Sequence, residues 1–540
     1  MYIEGQTDTN KQLAKKIVER FQKKKSKRIN WESHWQECLD YIVPRKADIT
    51  RTNTPGLKRN GDLFDTTAIM ANQLLAGALH GMLTNPVVRF FDLAMGDSET
   101  NANSEVKGWM NEVADRMYGV FNTSNFQTEI HEIYLDLGSI GTACMFIGED
   151  DENVVHFAAR SMKEVYAEED NLGRIDAVDR SFKWNAKQLV QEFGYEKLPK
   201  FLQEAYDKGT TDEYEIIHAV YKDPENEHFA HKSCYVLVDK EYVLSEGGFK
   251  EFPYAVPRWT KTTGEIYGRG PGMEMLPDIK MVNIMMETTL KGAQKTVDPP
   301  LMVSDDGVIG RVRLTPGGLT IVRPGSDVPI RPLITDARID FGYQAVEDVR
   351  NRIRSGFYVD QLQLNEGPQM TATEVLQRTE EKLRLMGPVL GRQHFEFLRP
   401  VIERVFAIML RKGLLPPAPR EIQGKKFDVR YSSLVARSQR MSEGQNFTRA
   451  IQTAAPIIQT APDSLDIVDT DAAIRHIFDV FGLPHGVLRE EREIAMIRQQ
   501  RQQAQQAAMQ QAQQAQQADS MGKLMPGVAQ LQQATQAGAV

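Results

Sequence analysis

The sequence predicts an α+β fold that is mostly helical, on three observations. Apolar residues recur at helical spacing through the first 143 positions, as in Val106, Trp109, Val113, Met117 and Val120. Between 144 and 263 this texture gives way to short β-rich runs such as "VVHFAA" and "YEIIHAVY". Beyond 264 long helical stripes return, interrupted once by a segment punctuated with Gly and Pro.

Taken in order, Trp31, Trp35, Leu39 and Ile42 form a helix face that Pro44 ends. Residues 65–83 give a second helix closed by Asn85-Pro86, the Val106 stripe a third, and residues 125–141 a fourth. "ACMFIG", "VVHFAA", "YEIIHAVY" and "CYVLVD" read as strands separated by acidic or Gly/Asn turns, with one helix near 185–205 among them. A long helix over about 277–297 carries Ile279, Val282, Met286 and Leu290, with Glu287 and Lys291 as an i,i+4 pair. Asp298-Pro299-Pro300 ends it, and residues 301–335 read as strands. A second helix, about 338–358, places Val346, Val349, Ile353 and Phe357 on one face, and 359–370 ("VDQLQLNEGPQM") reads as a polar loop. Helix resumes from a capping box at Thr371 and Glu374 to Gly413, followed by the mixed segment "GKKFDVRYSSLV" and further helices over 438–500.

At 540 residues, two to four packed units are expected. A net charge of −8 disfavours tight gripping of nucleic acid over a large surface. Three isolated cysteines, Cys38, Cys144 and Cys234, supply neither a disulfide framework nor a zinc cluster and suit a reducing compartment. The basic stretch 11–28 is no signal peptide, and no uncharged run reaches the ~18–20 residues of a membrane span. A soluble intracellular chain is expected, and the basic stretch (Lys15, Lys16, Lys23, Lys24, Lys25, Lys27, Arg28) reads as a solvated helix face.

The motif closest to chemistry is "GEIYGRGPGMEMLPDIK". Gly268, Gly270 and Gly272 alternate before a helix, as phosphate-binding turns do. Yet the third glycine comes one residue early for G-x-G-x-x-G, Pro271 lies inside, and no buried strand precedes it. A structural turn is the better reading: the glycines permit a tight bend, Pro277 starts the helix, and Asp278 complements its dipole. Gly138-Ser139-Ile140-Gly141 is one residue short of a nucleophile elbow, and the histidines form no metal motif. The acidic runs Glu149–Glu152 and Glu168–Asp170 read as solvated turns. No cofactor, metal or catalytic residue is expected. Arg350, Arg352 and Arg354 fit either phosphate contact or pairing with a neighbouring chain, the latter being favoured. In the Gln/Ala tail, Ala504, Ala508, Ala512, Ala515 and Ala518 recur every three or four residues, which suits either a helix in an assembly or a disordered tail.

"YGRGPGMEMLPDIKMVN" and "MTATEVLQRTEEKLRLMGPVLGRQHFEFLRPVIERVFAIMLRKGLLP" resemble the portal, or head-to-tail connector, proteins of short-tailed bacteriophages (podoviruses). "WESHWQECLDYIVPRK", "GDLFDTTAIMANQLLAGALHGMLTNP" and "DLGSIGTACMFIGED" extend the likeness across about residues 10–490. The resemblance implies a non-enzymatic dodecameric ring at a capsid vertex, around a channel through which double-stranded DNA is packaged and ejected. It implies a wing over 1–263 (helical 1–143, β-rich 144–263), a glycine loop and first stem helix over 264–300, and a clip over 301–336. A second stem helix over 337–358, a tunnel loop over 359–370, wing helices over 371–430, a crown over 431–497 and a barrel-forming or disordered tail over 498–540 follow. Gln361, Gln363, Asn365, Glu366 and Gln369 would then face DNA, and Lys291, Arg350 and Arg354 would lie on the stem. Arg311, Arg313 and Arg323 would meet the terminase large subunit or a tail adaptor. Capsid and scaffolding proteins are further implied partners, with residence in the virion after assembly in the host cytoplasm. A nucleotide-binding enzyme using residues 268–272 and an internal scaffold or tail component using the Gln/Ala tail stand as alternatives.

Overall fold

The computed structural model describes residues 8–52, 54, 56–95, 104–225, 228–297, 301–303, 330–332, 339–362, 386–422, 427–431, 449–450, 452–454, 456, 469–480, 489 and 493–511. Two compact units divide the chain, Met1–Ala436 and Arg437–Val540. The first opens with α1 (Asp8–Ile42), one continuous helix that includes the whole basic stretch. Its first half lays Ala14, Ile17 and Phe21 on a sheet face formed by Tyr166, Ile217, Ala219, Cys234 and Val236. Its second half drives Trp35, Cys38, Leu39 and Ile42 into the main core. The basic face is therefore only partly solvated. Lys15, Lys16, Lys23, Lys25 and Lys27 are exposed, but Arg28 is buried, donating to the carbonyls of Met162 (2.8 Å) and Lys163 (3.0 Å). Its guanidinium lies 3.5 Å from the Tyr166 ring centroid. Lys24 pairs with Glu168 (3.0 Å) and with buried Asp179 (2.9 Å).

Helices α2 (Thr67–Leu83), α3 (Ser104–Thr123) and α4 (Phe126–Ile140) match the predicted helices, with β1 (Phe91–Met95) between the first two. Strands β2 (Met145–Asp150) and β3 (Val154–Ala159) pair as a hairpin. A meander of β4 (Val165–Glu169) and β5 (Ile175–Asn185) follows and leads into two short helices rather than the one expected. These are α5 (Ala186–Phe193), capped by Asn185 and Gln188 in a capping box, and α6 (Lys200–Asp207). Gly194, at φ +84°, breaks the run between them. Then β6 (Glu213–Lys222), β7 (His231–Leu237) and β8 (Tyr242–Phe249) complete an antiparallel sheet of order β4-β5-β6-β7-β8. Successive residues face opposite sides of it: Ile217 meets α1, whereas Ile216 meets Leu189 of α5 and Leu202 of α6. The short β9 (Tyr254–Ala255) joins β2 on the side away from β3.

The long helix α7 runs Pro271–Val297, not from 277, so Pro277 lies inside it and Pro271 is its first residue. A proline starts a helix where its missing N–H is unneeded, and Pro271 meets that condition. Strands β10 (Leu301–Val303) and β11 (Ile330–Pro332) pair antiparallel. Helix α8 (Ile339–Gly356) returns and packs on α7. The first four residues of the expected polar loop form a helical turn, α9 (Val359–Leu362). A helix over 386–411 carries one π turn at His394–Leu398 before α10 (Arg399–Arg411). Strand β12 (Phe427–Tyr431) closes onto β1, with Phe91 opposite Tyr431, a pairing across more than 330 positions that no local pattern announces. The Thr371–Glu374 capping box lies outside the described residues.

In the second unit, α11 (Thr470–Val480) and the helix over 493–511 are described. Arg498 pairs with Asp471 at 2.7 Å. Every residue from Arg498 to Gln511 is exposed, Ala504 and Ala508 included, whereas Ala512, Ala515 and Ala518 lie outside the described residues.

Candidate functional site

The glycine loop packs against the end of α4. There Gly141 adopts φ +74°, and the loop backbone lies flat on it. A Cβ on Gly268 would sit 2.7 Å from the Gly141 carbonyl oxygen, and one on Gly270 would sit 2.5 Å from that of Leu137. One on Gly272 would sit 2.5 Å from the Ser139 carbonyl oxygen and 2.6 Å from Ile42 Cδ1. None of the three has positive φ. Their role is close approach, not the conformational freedom expected of a tight bend. The loop also spends its donors internally. The Gly268 N–H donates to Thr142 Oγ1 (2.8 Å), that of Arg269 to the Thr260 carbonyl (3.0 Å), and those of Met273 and Glu274 to the Gly270 carbonyl. A phosphate would find no room against this close-packed backbone, and four of the loop's amides are already bonded within the chain.

Arg258 fixes this corner to distant elements. It is 2% exposed and donates to Glu396 from Nε and Nη2 (both 2.9 Å), to Glu169 from Nη1, and to the carbonyls of Ile266 (3.1 Å) and Gly173 (3.0 Å). Burial opposes its charge, but Glu396 and Glu169 outweigh burial and hold its pKa above the ordinary value. Lys261 joins Glu169 at 2.6 Å, and Glu149 pairs with Arg411 at 2.7 Å. The acidic runs are therefore not simply solvated turns: Glu149 and Asp150 belong to β2, Glu168 and Glu169 to β4, and they anchor cations from elsewhere in the chain. The turn role persists in part of each run: the Asp150 carboxylate accepts from the Glu152 N–H (3.2 Å), exposed Asp151 and Glu152 lie in that turn, and Asp170 accepts from the N–H groups of Leu172 and Arg174.

From this corner α7 and α8 leave as a pair. Met273, Leu276, Ile279 and Val282 of α7 and Val346, Val349 and Ile353 of α8 are buried in the main core, with Phe357 beside them. The two helices thus carry enough apolar surface to join a core within one chain. Asn283 accepts from the Phe64 N–H (2.8 Å) and donates to the Asp62 carbonyl (3.2 Å), tying α7 to the segment before α2. Arg350 pairs with buried Asp65 at 2.8 Å, Arg352 with Asp278 at 3.3 Å, and Arg354 with Glu347 at 2.7 Å. All three arginines have acidic partners within their own chain. Asp278 answers Arg352, not a helix dipole.

Beyond the buried stripe, α7 presents a second one to solvent. Glu274, Pro277, Met281, Ile284, Thr288 and Lys291 recur at alternating three- and four-residue spacing, and all are exposed. Ile284 is 60% exposed. Such spacing is that of a helix–helix seam.

Of the residues expected to be functional, Lys291, Arg350 and Arg354 lie on the paired helices, with Lys291 bonded to Glu287 at 2.5 Å. Gln361 sits in α9, its Oε1 buried and without a hydrogen-bond donor. Gln363, Asn365, Glu366 and Gln369, and likewise Arg311, Arg313 and Arg323, lie outside the described residues. Arg258, Glu396, Asp65 and Asn283 escaped sequence reasoning because each is a lone polar residue whose partner is remote in sequence. Among the described residues Ser233 and His218 approach a nucleophile–base pair (2.9 Å), with Tyr254 on the other ring nitrogen at 3.0 Å. The His218 ring is buried, and burial pushes its pKa down to about 3. That arrangement is a satisfied core histidine. Ser139 is buried too, bonded to the Leu135 carbonyl. Among the described residues no group of three or more His, Cys, Asp or Glu could hold a metal, and no helix is long and apolar enough to cross a membrane.

Residues 14–488 match the family model described as bacteriophage head to tail connecting protein. The chain belongs to that family. A "Probable portal protein" of Bordetella phage BPP-1 is 32% identical over 502 residues, covering 90% of each chain. A "Portal protein" of Salmonella phage epsilon15 is 29% identical over 511 residues, again covering 90% of each. The likeness to this connector family spans the glycine corner, both long helices and the helix bearing Glu396, so the geometry above is that of a structural connector between head and tail.

Proposed function

We propose that this head-to-tail connecting protein is a phage portal: a dodecameric ring at a capsid vertex, through whose channel double-stranded DNA enters during packaging and leaves during ejection. The observation that carries the ring is the exposed apolar part of α7, Pro277, Met281 and Ile284 at seam spacing on a helix whose opposite face is already buried. A second copy of the chain is the natural cover for such a face. At 27 residues, α7 is about 40 Å long, enough for a substantial channel wall.

In this reading α7 and α8 are the stem, 301–336 the clip that meets the terminase large subunit and later a tail adaptor, and 359–370 the loop that approaches DNA. The wing and crown face capsid and scaffolding proteins. A chain of net charge −8 suits a conduit, since strong phosphate clamping would oppose movement in either direction. Packaging energy comes from a separate motor.

Negative-stain images of purified protein should show rings of about twelve-fold symmetry with a central hole. A stable monomer under all assembly conditions overturns the proposal. Deleting 498–540 should leave rings intact, whereas a scaffold built on the Gln/Ala tail would lose them.

A further inference from the structure

Three non-glycine residues have positive φ among the described residues, Val154, Glu241 and Tyr358. Val154 opens β3 directly after a hairpin turn and Glu241 lies in the turn before β8, where hairpin geometry accommodates them. Tyr358, at φ +60°, stands between two helices, α8 and α9. It follows the last helical amide, since the Phe357 N–H still donates to the Ile353 carbonyl (3.0 Å) while that of Tyr358 turns back to Ser355 (3.0 Å). This is the position where helices ordinarily place glycine, because a Cβ is disfavoured in the left-handed region. The nearby glycine, Gly356, instead makes room for a neighbour, since a Cβ there would collide with Met275 Sδ. The chain thus carries an aromatic residue where the backbone favours glycine.

A second unfavourable feature accompanies the first. One turn on, Gln361 Oε1 is buried with no donor. The bend is held by contacts that outweigh both. Phe357 and Val359 are buried on either side of the joint, the Tyr358 ring lies 6.0 Å from that of Trp259, and Ser355 Oγ donates to Asp360. The Tyr358 carbonyl accepts from Gln361 and Leu362, so the turn that follows is organised around this residue.

We propose that Tyr358 is a two-state joint: left-handed in the bent form described above, and right-handed in an alternative form in which α8 and α9 fuse into one helix. Fusion relieves the backbone strain, frees Gln361 from its buried setting and changes the direction in which the chain leaves Leu362. That this motion acts on DNA in the channel rests on the portal reading; the joint itself does not.

Spin labels introduced through Asn351→Cys and Gln363→Cys in the full-length chain report the joint, since Cys38, Cys144 and Cys234 are buried. Labelled chain is diluted into unlabelled chain to isolate distances within one copy. In the fused helix Leu362, which precedes the second label, lies about 16 Å of helix rise from Asn351. Tyr358→Gly and Tyr358→Ala both lose the Trp259 contact, but only glycine adopts the left-handed form without penalty. The bent-to-fused ratio should therefore be about tenfold higher for glycine than for alanine, and Tyr358→Phe should match the wild type. Identical distance distributions for the glycine and alanine variants overturn the joint, because loss of the ring alone would move both equally. If the distances separate as expected but both variants package and retain DNA alike, the joint stands and its action on the channel fails. Absence of rings in every variant and in the wild type overturns the portal reading, while the distance comparison remains decisive for the joint.

Discussion

Helix α7 buries Met273, Leu276, Ile279 and Val282 in its first half, whereas in its second half no residue after Asn283 is buried and Val297 is 86% exposed. Both halves belong to one helix of unremarkable composition. The difference lies in what each finds within its own chain. The first half meets α1, α4, α8 and a glycine corner where backbones touch; the second keeps α8, whose Gly342 lies against Thr289, and half-buries Met285 and Met286 on the core, with Glu287 and Lys291 paired on its surface. A helix can therefore be completed at one end by intramolecular packing and left at the other for an assembly to complete. The exposed seam through Pro277, Met281 and Ile284 runs along both halves.

The sharpest way to break this contrast is at the corner. Gly270→Val puts branched carbons where the Leu137 carbonyl oxygen and the Gly141 backbone already lie within 3 Å of a Cβ. Neither neighbour is a flexible side chain, so the cost should reach about 3–5 kcal/mol. Urea or thermal unfolding of the soluble fraction would register it, and stability near that of the wild type would refute the close-approach role. Next in size is Arg258→Met, which leaves Glu396 and Glu169 partly buried without their principal cation. A loss of about 3 kcal/mol is expected in the same measurement, and Glu396→Gln should cost less, since it keeps an acceptor facing the guanidinium. The smallest effect on the folded chain belongs to the seam. Met281→Asp with Ile284→Asp should change stability by no more than about 0.5 kcal/mol, because both positions are exposed. The same pair should abolish rings in light scattering or size-exclusion chromatography. Intact rings would mean that another face of the chain carries the assembly.

Much of the fold was legible in local pattern. The Val346, Val349, Ile353 and Phe357 stripe is buried as its spacing required, and the β-rich runs over 144–263 became the predicted strands. Boundaries shifted where two signals competed. Pro277 looked like a helix start, yet Pro271 takes that place and Pro277 is carried on the exposed face of the same helix. "VDQL" looked like the opening of a loop because the stretch 359–370 is polar over most of its length, but Val359 is buried and the four form a helical turn.

What the sequence by itself determined is the class of each segment and the family likeness, because periodicity, turn residues and motif order are local or linear properties. The tertiary structure alone decided what the glycines and charges are for. Gly268, Gly270 and Gly272 are required by the backbone of α4, more than 120 positions earlier. Arg258 depends on Glu169 and Glu396, and Arg350 on Asp65, partners that only folding brings within hydrogen-bond reach. A steric or ionic requirement is a statement about distance in space, and that distance exists only once the chain has folded.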